Sequence, residues 1–138
     1  MKMARALTVA VVILAAGGGR AEEAAEQAAA GAAGAWVKLV DAGQDGRSWE
    51  EAARPFKAAV SKADWERALA GVRSPLGKVV SRKEASRRAA GSLPGAPDGR
   101  YVVLQYQTSF EHKKAAVETV TTMLDQDGRW RVSGYFIR

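Results

Sequence analysis

Glu118 is the acid in this chain whose setting is least ordinary. It stands inside Ala115–Leu124, a stretch rich in Val and Thr. Buried there, a carboxyl group has its pKa raised and can act as a general acid or base. Paired across strands with Arg82, Arg88 or Arg131 on the open face of a sheet, it is instead a structural ion pair, the commoner outcome for such a residue. Tyr106, Trp130 and Tyr135 combine with Glu118 into a candidate ligand-binding set, since pockets are mostly apolar with a few polar groups. His112 is the only histidine. A triad with Ser109 can be drawn, but its base needs an orienting third group and a pocket. Set between Glu111 and Lys113-Lys114, His112 reads as an exposed, mobile turn residue. Asp125, Asp127 and Gly128 resemble the start of a calcium loop, but the glutamate that closes such a loop does not follow at the needed spacing. No catalytic residue is assigned, and the chain leans away from being an enzyme.

Composition narrows the chemistry further. The 138 residues include no cysteine, so there is no disulfide framework and no thiolate nucleophile or ligand. A single histidine excludes metal sites built on two or more imidazoles. No metal and no cofactor is expected. The charged fraction of 26% beside 47% apolar residues suits one folded domain and not a disordered chain.

The first residues have the form of an export signal. Lys2 and Arg5 precede an apolar run, Ala6 to Ala16, broken only by Thr8. Gly19 and Ala21 then supply the small residues of a cleavage site before Glu22. The run is too short to span a bilayer, which takes about 20 residues. Residues 1–21 are therefore read as a signal peptide and 22–138 as a single domain. Cleavage removes Lys2, Arg5 and Arg20 but no acid, so the net charge falls from +6 to +3. That is weak grounds for binding nucleic acid. The expected location is periplasmic or secreted, with no stable membrane insertion after cleavage.

The elements that must carry these residues follow from period and punctuation. Glu22 to about Gly43 reads as a helix, with Ala25, Ala29, Ala32, Trp36, Leu39 and Val40 recurring on one face. Ser48-Trp49-Glu50-Glu51 has the capping-box pattern, which predicts a short second helix starting at Ser48. Pro55 ends or restarts that helix. Ser61 caps another, with Trp65, Leu69 and Val72 as its buried stripe. After Gly77 the period changes. Lys78–Gly91 is a charged edge strand with Arg82, Glu84, Ser86 and Arg88 on one face and Lys83 and Arg87 on the other. Leu93–Gly99 is a rigid loop and Tyr101–Phe110 the next strand. Glu111–Lys114 turns the chain into Ala115–Leu124, and Asp125–Gly128 turns it into the last strand. Alternation there puts Trp130, Val132, Gly134 and Phe136 on one face and Arg131, Ser133, Tyr135 and Ile137 on the other. Helices first and hairpin-linked strands afterwards give an α+β fold, its N-terminal helices packed on a curved antiparallel sheet of about four strands. Trp36, Trp65, Val102, Leu104, Tyr106, Trp130 and Phe136 are the expected core.

Several segments carry a resemblance. Ala35-Trp36, Leu39-Val40-Asp41-Ala42-Gly43, Ser48-Trp49, Arg73-Ser74-Pro75-Leu76-Gly77, Pro94-Gly95-Ala96-Pro97-Asp98-Gly99 and Gly134-Tyr135-Phe136 stand in this order. Together they resemble a family of secreted bacterial proteins, the domain of unknown function numbered 4019. The resemblance implies no activity. A helix followed by a curved sheet is similar to cystatin-like and NTF2-like folds, an analogy of fold alone.

Two functions of different kinds follow. The first is a non-catalytic envelope module that binds an unknown protein partner or a second copy of itself through the last strand. The second is a small-ligand pocket between the sheet and the first helix, holding Tyr106, Glu118, Trp130 and Tyr135.

Overall fold

The computed structural model describes residues 17–138. The expected signal's basic start and its apolar run, Ala6 to Ala16, lie outside the described residues. Four helices come first: α1 (Gly17–Asp41), α2 (Asp45–Glu50), α3 (Arg54–Ala59) and α4 (Lys62–Arg73). A short 3-10 turn, Ser74–Leu76, leads into β1 (Val79–Ala90), β2 (Tyr101–Phe110), β3 (Lys113–Leu124) and β4 (Trp130–Ile137). The strands form an open antiparallel meander in the order β1-β2-β3-β4. The expected α+β architecture is the one found. Among the described residues no helix is long and apolar enough to cross a membrane.

α1 lies across the sheet and buries Ala29, Ala33, Trp36, Val37 and Val40 against Val102, Leu104, Tyr106, Val120 and Val132. Ala29 and Ala33, in the middle of α1, let the helix come close, and Trp36 then fills the deeper part. Gly43 ends α1 in the left-handed region at φ 72°, which glycine adopts without strain. Gly77, at φ 75°, sits under the β2–β3 turn. A Cβ there would meet the Glu111 Cβ at 3.0 Å. That turn is tied to the segment beneath it: the His112 N–H donates to the Leu76 carbonyl and the Glu111 N–H to the Lys78 carbonyl, both at 2.9 Å. His112 is exposed as expected, but its backbone is anchored.

Pro55 restarts the chain as α3, at whose first turn it is accepted because the missing N–H has no helical acceptor there. The Asp125 carboxylate in the β3–β4 turn accepts the Arg54 N–H at 3.0 Å and so caps α3 from the sheet. Beside it the Ala53 N–H donates to the Val132 carbonyl at 2.8 Å, joining the helical layer to the outer rim of β4. Ser61 caps α4 by accepting the Asp64 N–H at 3.2 Å, as its spacing predicts.

Three expectations need correction. Ser48 does not open α2, which starts at Asp45 after Gln44. Its hydroxyl donates to the Asp45 carbonyl at 2.6 Å and accepts the Trp65 indole N–H at 2.9 Å, while its carbonyl accepts the Trp36 indole N–H at 2.8 Å. The capping-box serine is thus a buried bridge between two tryptophans. Val72 is 49% exposed and not part of the α4 stripe, because the helical layer covers α4 only along Trp65 and Leu69. Phe136 is 55% exposed. A β-bulge at Ser133 explains it: Thr121 pairs with Gly134 and Thr122 with Val132, so side-chain parity flips between them. Trp130 and Val132 face the helices before the bulge, and Tyr135 does so after it. A second bulge, at Ala85, does the same in β1. It brings Glu84 and Arg87 to one side of the strand, 2.8 Å apart, where strict alternation separates them.

Candidate functional site

Glu118 is fully buried on the helix-covered face of β3. β2 and β4 flank it in register through Tyr106 and Ile137, and Arg82 arrives from β1 beside Thr108. Four donors converge on its two carboxylate oxygens. The Arg82 Nε donates to Oε1 at 2.7 Å and its Nη2 to Oε2 at 3.2 Å. The Thr108 hydroxyl donates to Oε1 and the Tyr135 hydroxyl to Oε2. An ionised carboxylate offers about four lone-pair sites, so these donors occupy it completely. Burial, then the Glu118 charge and hydrogen bond, push the Tyr135 hydroxyl far above its usual pKa.

The other end of the Arg82 guanidinium holds Asp41 at the C-terminus of α1. Nη1 and Nη2 donate to its two oxygens at 2.6 and 3.0 Å. Arg73, the last residue of α4, donates Nη2 to the same carboxylate at 3.0 Å. Its guanidinium carbon lies 4.9 Å from the Phe110 ring centroid. Its Nε and Nη1 are buried without a partner among the described residues. Burial alone would raise the Asp41 pKa, but the hydrogen bonds and charges of Arg82 and then Arg73 hold it below the usual carboxylate value. Burial works against the Arg82 charge too, and Asp41 and Glu118 more than reverse it, so its pKa is raised. The result is an alternating chain of charge, Glu118–Arg82–Asp41–Arg73, that ties the sheet to the ends of α1 and α4.

Of the expected candidates, the fold brings Tyr106, Glu118 and Tyr135 together. The Arg82 guanidinium lies 6.0 Å from the Tyr106 ring centroid, and Tyr135 meets the Trp36 ring edge-on at 5.2 Å. Trp130 is not with them. It pairs with Leu124 at the far end of the β3–β4 ladder and lines a separate groove beside α1. Arg82 is the cross-strand partner of Glu118, but on the covered face and not the open one. Arg131 pairs instead with Asp127, at 2.7 Å, and Asp125, at 3.7 Å, and Arg88 is exposed. Asp41, Arg73 and Thr108 are the members that sequence reading missed; the signal for the first two was a charge beside a helix stop. Among the described residues no cluster of three or more acidic or histidine side chains could hold a metal.

Residues 32–135 match the family described as "Protein of unknown function (DUF4019)". The chain belongs to this family. Every member of the ion-pair chain, from Asp41 to Glu118, and the Thr108 and Tyr135 hydroxyls that donate to it fall inside the matched DUF4019 segment. No curated protein matches the chain.

Proposed function

We propose that this DUF4019 chain is an exported, non-catalytic envelope module that works by contact, and that a second copy of itself is the occupant of its uncovered sheet face. That face supports the reading. Val103, Gln105, Val117, Thr119, Thr121 and Phe136 lie on it, opposite the helical layer. The central strands put no formal charge on this face, so two copies can meet at its centre without like-charge repulsion, while Lys83 and Arg88 of β1 stand at its edge in register with Gln107 and Val103. Thr119, between Gln105 and Phe136 in register, has its hydroxyl buried without a partner among the described residues. Phe136, over half exposed, is the large apolar side chain such a contact would cover. The donors filling every site on Glu118 speak for a structural and not a reactive acid.

Light scattering after size exclusion tests the contact. A dimer is expected, and Phe136→Glu, which sets like charges across the two-fold axis, should return it to monomer. A strictly monomeric wild type at high concentration defeats the reading. Expression in a bacterium tests export: the recovered protein should begin at Glu22, and an intact Met1 in the cytoplasmic fraction counts against it.

A further inference from the structure

On the helical side of the sheet, away from the face just described, a groove of about 450 Å³ runs between α1 and the start of β4. Its floor is apolar. Ala32, Ala35 and Leu39 line it from one shoulder of α1, next to the rings of Trp36 and Trp130. These α1 positions sit one step around the helix from the core stripe, and the alanines are what leave the space open. The walls are basic: Arg47 from α2, Arg129 from the β3–β4 turn and Arg131 from β4, with Glu51 on the same rim. Arg131 is engaged by Asp127 and Asp125. Arg47 and Arg129 are exposed and have no carboxylate within ion-pair distance among the described residues.

We infer that this groove binds an amphiphilic organic anion, a carboxylate or sulfonate carried on a flat or chain-like apolar body. The volume falls in the range of small-ligand sites, roughly 300–1,000 Å³. Two unengaged guanidiniums above an apolar floor complement a ligand with one charged end, since the guanidinium fork matches a carboxylate in a bidentate fashion. A neutral apolar molecule reads the floor alone. A bare inorganic anion reads the rim alone. Only a ligand with both parts uses the whole groove. Occupancy does not depend on the sheet-face contact, because the two lie on opposite sides of the sheet.

Titration of the full chain with anilinonaphthalene sulfonate, a fluorescent organic anion with a flat apolar body, tests the inference. Saturable binding at one site is expected, displaced by decanoate and not by inorganic phosphate at equal concentration. Removing both guanidiniums, in Arg47→Ala with Arg129→Ala, should weaken it at least about tenfold, the scale of one lost charge-assisted hydrogen bond. Ala35→Leu, which fills the floor at an exposed helical position, should abolish it. Arg88→Ala, on the exposed face of β1, should leave it unchanged, and all variants should keep the wild-type urea midpoint. Equal affinity in the double-arginine variant, unchanged binding in Ala35→Leu, or displacement by phosphate as effective as by decanoate would each overturn the inference.

Discussion

Replacing Glu118 with glutamine keeps the shape of the side chain and removes its charge. The Arg82 Nε and Nη2 then face an amide that accepts at one end only, and one of the Thr108 and Tyr135 hydroxyls loses its acceptor. Breaking a buried ion pair by deleting one partner costs about 3–5 kcal/mol. Arg82 keeps both bonds to Asp41, which places Glu118→Gln at the lower end, about 3 kcal/mol. With an unfolding entropy of about 2 cal/mol/K per residue, that lowers the melting temperature by about 12 °C for a domain of this length. Urea unfolding followed by circular dichroism measures it, with an unchanged m-value showing that the unfolded state is not the cause. Arg82→Met, which strands Glu118 without a cation, should cost more. The double variant should cost less than the sum by about 2 kcal/mol, the coupling expected of residues sharing one network. A Glu118→Gln protein within about 0.5 kcal/mol of wild type would place it among ordinary surface substitutions and refute the account of the charge chain as a structural tie. So would a coupling near zero.

The remaining predictions use the same contacts. Asp41 has a folded pKa below its usual 3.8, so its contribution is complete above that value and drains away as pH falls through the lower folded one; Asp41→Asn should flatten the acid limb of the urea-midpoint profile. Tyr106 is raised above 10.0 by burial and then by the Glu84 charge, and Tyr135 by burial and then by Glu118. Their contribution is complete below pH 10.0 and lost as pH rises through the folded values, so phenolate absorbance from Tyr135, the more strongly held of the two, should appear together with unfolding and not before it. Ser48→Ala removes the acceptor of the Trp65 indole N–H and should destabilise by about 1–3 kcal/mol in urea; a neutral result would mean that water replaces the hydroxyl.

Local chemistry made much of the architecture readable. Period-2 alternation and the turn residues around it locate β2, β3 and β4 closely, and Gly43, Pro55 and Ser61 mark helix boundaries where their backbone preferences say they should. What was not readable has two physical causes. One is the bulge. A single extra residue at Ser133 reverses which side chains face the core, so Phe136 points outward and Tyr135 inward, and counting by twos cannot detect it. The other is distance along the chain. Asp41, Arg73 and Arg82 are each ordinary where they stand, and only the closure of α1 and α4 over the sheet joins them to Glu118 in one network. Glu118 was conspicuous because its neighbours are apolar, whereas Asp41 and Arg73 hide among the usual charges of helix ends.

The Ala53 N–H bond to the Val132 carbonyl bears on how the protein behaves in a crowd of its own unfolded copies. It lets the chain's own backbone occupy part of the rim that an incoming strand would need. The opposite rim carries Arg82, Lys83, Glu84, Arg87 and Arg88 and is kinked by its bulge, so a stray segment finds neither a straight ladder nor a neutral one. Fibril growth by templating on this meander is obstructed from both sides, which leaves the flat of the sheet as the surface still open to a neighbour.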